Sequence, residues 1–161
     1  MGLIDYQVNK AGWATLEVRA EADEKVAAFG VSYLHDSLGD LARMGLALNK
    51  GQSVASAVFM EEPGEVHLVV EGLGDALRFE VRWFDDWASW NMADPSSYKV
   101  LSQGEVGRAE LVRNIQQVLA RIHSEIGPAR YLELWIEHQF PLAEYEQLSQ
   151  AVGLGPIACR A

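Results

Sequence analysis

The chain reads as an α+β domain, an antiparallel sheet of about five strands with helices packed on one face, in the order β-α-β-β-β-β-α-α. Three observations predict this. Leu77, Phe79, Val81 and Trp83 alternate with Arg78, Glu80 and Arg82, which is the period of a half-buried strand. Turn signals at Pro63-Gly64, Gly72–Asp75 and Asp94-Pro95-Ser96-Ser97 separate short strands, so sequence neighbours pair antiparallel. Finally, Leu111, Ile115, Val118, Leu119, Ile122 and Ile126 form a helical apolar stripe that must be buried against a sheet.

The first strand is expected at Trp13–Ala20, where Ala14, Leu16, Val18 and Ala20 face one way and Thr15, Glu17 and Arg19 the other. An acidic connector, Glu21 to Lys25, follows. A helix is predicted from about Ser32, its candidate cap, to Lys50, with Leu34, Leu38, Leu41 and Leu48 at helical spacing and Gly51 at its end. Gly39 and Gly45 each weaken that helix by roughly 1 kcal/mol relative to alanine, and are read as positions of close packing. Strands are expected at Ser53–Glu61, Glu65–Glu71, Leu77–Trp83 and Tyr98–Gln103. A helix spans Val106–Ile126 and stops at Gly127-Pro128. A short helix is favoured at Tyr131–His138, and a last one begins near Pro141 and runs to about Val152. Residues 1–161 form one domain, with 153–161 expected as a frayed tail.

Thirteen basic residues against 23 acidic ones give a formal net charge of -10. That excess repels phosphates and anionic membranes, so nucleic acid and membrane are not expected as direct partners, and a basic protein or a cationic ligand is favoured. The competing reading is that the charge only keeps the protein soluble. A single cysteine, Cys159, rules out an intrachain disulfide. Residues Met1 to Lys10 lack the basic-then-apolar pattern of a secretory signal, and no apolar run is long enough for a membrane span, so a cytoplasmic location is expected.

Motifs for phosphate or dinucleotide binding and the nucleophile elbow are absent, and Gly72-Leu73-Gly74 lies between strands as a turn. None of His35, His67, His123 and His138 stands three or four residues from another, so each is read as structural or solvent-facing, and no metal or cofactor is expected. His35-Asp36 with Asp40 is the best catalytic seed, because Asp36 and Asp40 share a helix face. Acids in a first helical turn also complement the helix dipole, and that reading is preferred.

The segment Trp83-Phe84-Asp85-Asp86-Trp87-Ala88-Ser89-Trp90 carries three of the five tryptophans beside two acids, where the strongest strand runs out. Adjacent acids on a strand point to opposite faces, so Asp85 and Asp86 converge as a metal or acid-base pair only if the strand has ended. Recognition fits better, since tryptophan buries much area with few rotamers to freeze and acids at a rim steer a basic partner. Trp83 is in phase with Leu77, Phe79 and Val81 and is assigned to the core, while Phe84, Trp87 and Trp90 remain open between core and surface. The expected partner-binding residues are Asp85, Asp86, Trp87, Trp90 and Asp94.

The run Val31-Ser32-Tyr33-Leu34-His35-Asp36-Ser37-Leu38-Gly39-Asp40-Leu41, with the later Arg82-Trp83-Phe84-Asp85-Asp86-Trp87, resembles a group of small uncharacterised bacterial cytosolic proteins. That group is similar in size, acidity and organisation to immunity proteins of bacterial toxin systems. The likeness covers about Ser32 to Leu148 in outline, and its motifs are structural. It implies an inhibitor that occupies a toxin's active site or locks its shape. The charge argument runs the same way, to a basic toxin domain as partner, since a nuclease toxin needs a basic surface that an acidic partner with aromatic anchors could occlude. Two alternatives stand beside it. One is a small enzyme or ligand-binding domain, with a pocket between helices and sheet built from His35, Asp36 and the tryptophan segment. The other is a homodimeric structural module joined through exposed aromatics.

Overall fold

Two antiparallel sheets form in place of the single one expected, with seven strands among the described residues. The computed structural model describes residues 2–20 and 26–153, so the acidic connector, Cys159 and most of the expected tail lie outside the described residues. The first sheet has the order β1 (Ile4–Lys10), β2 (Trp13–Arg19) and β3 (Val26–Ser32). The helix α1 (Ser37–Asn49) leads to a second sheet of β4 (Val54–Met60), β5 (Glu65–Glu71), β6 (Ala76–Phe84) and β7 (Lys99–Gly107), also in chain order. After β7 come α2 (Arg108–Glu125), α3 (Pro128–Trp135) and α4 (Leu142–Ala151).

The two additional strands, β1 and β3, flank the expected β2. Ile4, Tyr6 and Val8 of β1 point into the core while Gln7 and Asn9 face out, and Gly12 at φ +78° turns the chain back into β2. In β3, Phe29 and Val31 are buried. Its alanines and glycine give it little strand propensity of its own, and full-length pairing with β2 holds it in place.

The first helix starts at Ser37, five residues later than expected. Ser32 belongs to β3 and its hydroxyl accepts the Leu34 N–H, whereas Asp36 caps the helix by accepting the Gly39 N–H at 3.1 Å. Gly45 is a position of close approach by other helices, as expected, whereas Gly39 makes room for the helix's own cap. A Cβ on Gly39 would collide with the capping carboxylate, and one on Gly45 would stand 3.0 Å from Leu148 and 3.1 Å from Ile115. The helices α4 and α2 therefore close on α1 at Gly45.

The inner faces of both sheets share one core with α1 and α2, built around Leu16, Val31, Phe59, Leu68, Phe79 and Leu119. Helix α2 touches β1 at one extreme of the strand series and β7 at the other. Its start is fixed by Asp75, whose carbonyl and carboxylate accept the N–H groups of Arg108 and Ala109. The Arg108 guanidinium donates to four carbonyls, those of Leu48, Gln52, Gly72 and Gly74, and so ties the end of α1 to the β5–β6 turn.

Candidate functional site

The end of β6 delivers the tryptophan segment to the far end of the second sheet. Phe84 is buried there on the outer sheet face, with its ring 4.6 Å from His67 and 5.7 Å from Tyr98. The Arg82 guanidinium sits 4.4 Å over the Tyr98 ring. Trp83 is only half-buried: it packs against the core and over Gly64, where a Cβ would collide with its ring. Core burial at the strand end thus goes to Phe84 more completely than to Trp83, because the loop before Tyr98 folds over the outer face.

Beyond Phe84 the strand has ended, and a 3-10 turn, Ala88–Trp90, projects from the sheet. Trp87 lies half-buried in front of it, with its indole N–H donating to the Glu61 carbonyl at 2.9 Å. Trp83 and Trp87 therefore both hold the β4–β5 turn. The Trp90 ring meets Trp87 edge to face at 4.8 Å between centroids, and Trp90 keeps 47% of its surface exposed. Met92 beside it is 55% exposed. The Met92 N–H donates to the Trp87 carbonyl, and Asn91 takes the left-handed conformation at φ 61° that closes the turn.

The turn is anchored by a carboxylate that sequence reasoning passed over. Glu65, the first residue of β5, has no exposed surface. Its carboxylate accepts the Ser89 N–H at 3.1 Å, the Ser89 hydroxyl, and His67 Nε2 at 2.6 Å. Burial pushes the Glu65 carboxyl up, but the bonds from His67 and Ser89 outweigh it and hold its pKa below the ordinary value. Serine, glutamate and histidine meet here with the carboxylate in the middle. The serine hydroxyl is committed to the glutamate rather than to the imidazole, so this is not the nucleophile–base order of a hydrolytic triad.

The expected site residues all fall in this region. Asp85 is exposed and accepts the Trp83 indole N–H at 2.9 Å, while Asp86 accepts the Trp87 backbone N–H at 2.8 Å. Asp94 organises the turn before Tyr98. The Ser96 N–H, then the Ser96 hydroxyl, bond its carboxylate and hold its pKa down, and it remains exposed. Each acid has a local structural task, and Asp85 and Asp94 also face solvent. Asp85 and Asp86 bond to different groups, and no cluster of three His, Cys, Asp or Glu side chains arranged for a metal occurs among the described residues.

His35, Asp36 and Asp40 do come together, but the two acids share the chain's own half-exposed Arg43 and His35 bonds only Asp40. Asp40 bonds His35 Nε2 at 2.7 Å, the Arg43 guanidinium at 2.9 Å and the Val58 N–H at 3.2 Å, and Arg43 also reaches Asp36 at 3.5 Å. Burial opposes ionisation of Asp40, yet the His35 and Arg43 bonds lower its pKa regardless. A carboxylate so thoroughly satisfied ties α1 to β4 and is a poor base. The concavities described open around the start of α2, at Arg19, Asp75, Glu105, Glu110 and Asn114, and involve neither His35 nor the tryptophan segment. No helix among the described residues is long and apolar enough to cross a membrane. Comparison of the chain with protein-family models, with curated proteins and with solved structures gives no match.

Proposed function

We propose that this chain is a bacterial immunity-type protein that binds a cognate toxin and neutralises it through an acidic-aromatic surface. The contact centres on Trp90 and Met92, supported by Trp87, and is rimmed by Asp85, Asp86 and Asp94. One observation carries the reading: two large apolar side chains are held out in solvent on a turn that is rigidly anchored from beneath by a buried carboxylate. Exposed apolar surface on a preorganised turn loses little entropy on binding, which is the property of an interface hot spot. The partner is basic, because the rim is acidic and the chain carries a formal charge of -10. The resemblance to immunity proteins adds the toxin; the residues themselves support only a basic protein partner.

The test is capture of the partner from the native host with the tagged chain, followed by binding of Trp90→Ala and Met92→Ala. Hot-spot truncations are expected to weaken binding by about 2 kcal/mol or more. A neighbouring reading frame encoding a toxin-sized protein, whose growth arrest this chain relieves, would establish the immunity role. Capture of nothing, or a partner indifferent to Trp90 and Met92, would remove it.

A second reading, self-association, has its own observation. β7 is an edge strand with Val100 and Leu101 41% and 49% exposed. Light scattering over a range of concentrations separates a dimer from a monomer.

A further inference from the structure

Many carboxylates are paired within the chain, while others, the partly buried Asp86 and Glu144 among them, have no ion pair among the described residues. Glu17 has Arg19, Glu80 has Arg82, Asp5 has Arg121, Asp40 has His35 and Arg43, and the buried Glu65 has His67. Half-buried Glu61 has no ion-pair partner among the described residues. One of its oxygens, Oε1, accepts the Gly30 N–H at 3.1 Å across the junction between β3 and β4, and burial raises its pKa against that single bond. A carboxylate partly removed from water, with one neutral donor, is left under-compensated.

Its surroundings are specific. A Cβ placed on Gly30 would meet the Glu61 carboxylate at 3.2 Å and the Trp13 ring at 3.9 Å, so carboxylate and indole stand over the same small residue. The Glu61 carbonyl is the acceptor for the Trp87 indole, so this spot adjoins the Trp87–Trp90 turn through a single residue. Neither Gly51–Val66 nor Phe84–Tyr98 contains a lysine or arginine, while together they hold Glu61, Glu62, Glu65, Asp85, Asp86 and Asp94.

We infer that Glu61 and Trp13, side by side over Gly30, form the seat for an arginine side chain of the bound protein. The inference rests on the protein-binding reading above and adds the partner group that is recognised and a third element, β2, to the contact surface. Arginine suits the pair better than lysine does. Its planar guanidinium stacks on an indole face while directing N–H donors at a carboxylate, and it is the more weakly hydrated cation. Glycine at position 30 leaves the approach open where any larger residue would fill it.

The experiment is a titration of the 15N-labelled protein with N-acetyl-arginine N-methylamide, and in parallel with its lysine and citrulline counterparts. Arginine is expected to shift the Trp13 indole N–H and the Gly30 amide saturably, and uncharged citrulline to leave them in place. Glu61→Gln keeps an acceptor for the Gly30 N–H, so the fold is retained while affinity for arginine falls roughly tenfold. Trp13→Leu is expected to weaken it as well, and Glu125→Gln/Glu146→Gln, on the exposed faces of α2 and α4, to leave it unchanged. No saturable shift, an unchanged response in Glu61→Gln, or an equal response to lysine would each overturn the assignment. The titration contains no protein partner. A failed seat therefore leaves the Trp90 and Met92 test intact, and a failed capture leaves the titration readable.

Discussion

Two glutamates four residues apart, Glu61 and Glu65, show how the same side chain takes opposite roles. Glu65 is fully buried and satisfied by three bonds, and its pKa is lowered, so its ionised form stabilises the fold. A carboxyl with a depressed folded pKa contributes stability that is complete above its ordinary value of 4.5 and is lost as pH falls through the folded value. Glu65→Gln is expected to cost about 2 kcal/mol at neutral pH, the range for breaking a buried charged hydrogen-bond set. It should also red-shift tryptophan emission and increase acrylamide quenching, because the Ala88–Trp90 turn loses its anchor. Ser89→Ala should give a smaller loss of the same kind. Glu61 has a raised pKa, so its ionisation opposes folding at neutral pH, and the penalty lifts as pH falls below the raised folded value. Glu61→Gln should therefore leave stability unchanged or raised at pH 7, measured by urea unfolding. A clear loss would mean that the carboxylate is already compensated within the chain.

At the scale of elements, close approach and capping decide more than hydrophobic pattern alone. Replacing Gly45 by alanine improves helix propensity by roughly 1 kcal/mol. The new Cβ, however, meets Leu148 and Ile115, both fully buried between α1, α2 and α4, and overpacking there costs about 1–3 kcal/mol. The expected outcome is a net loss in thermal or urea unfolding, smaller when Gly45→Ala is made in a Leu148→Val background than in the parent chain. The elements legible in the sequence were those with a long uninterrupted period: β6, α2 and the β4–β5–β6 meander. β1 alternated too, in Ile4, Tyr6 and Val8, but so close to the start that it read only as the absence of a signal. β3 was hidden because Val26-Ala-Ala-Phe-Gly-Val-Ser has too few large residues to show a period, and only β2 makes it a strand. The division into two sheets was equally hidden, since whether β3 and β4 pair across the intervening α1 is a tertiary outcome that no local pattern carries. Asp85, Asp86, Trp87, Trp90 and Asp94 could be placed from their own segment. Glu65 and Glu61 could not, because nothing local marks a carboxylate whose partner lies more than twenty residues away, Ser89 for Glu65 and Gly30 for Glu61.

On the scale of the whole molecule, the issue is whether the acidic excess acts as a general field or through the rim of one surface. Changing Asp85 and Asp86 to asparagine removes two of 23 acidic side chains and takes the formal charge from -10 to -8. Changing Glu125 and Glu146 to glutamine, on the exposed faces of α2 and α4, makes the same change in net charge elsewhere. A field summed over the molecule would treat the two pairs alike at low salt, where a Debye length of about 30 Å at 0.01 M lets both act on an approaching partner. Local complementarity treats them differently, since a rim charge within a few ångströms of a basic partner acts mainly on the rate of encounter. For the captured partner, the Asp85/Asp86 variant is expected to associate severalfold more slowly at low salt, with a shallower dependence on ionic strength. The Glu125/Glu146 variant should match the parent chain. Stopped-flow tryptophan fluorescence reads both, because the proposed contact includes Trp87 and Trp90. Dissociation rates should change little for either pair if the acids form the rim of the proposed contact, because rim charges act mainly on association. Equal slowing in both variants would assign the acidity to solubility and general repulsion, and would leave recognition to Trp90 and Met92 alone.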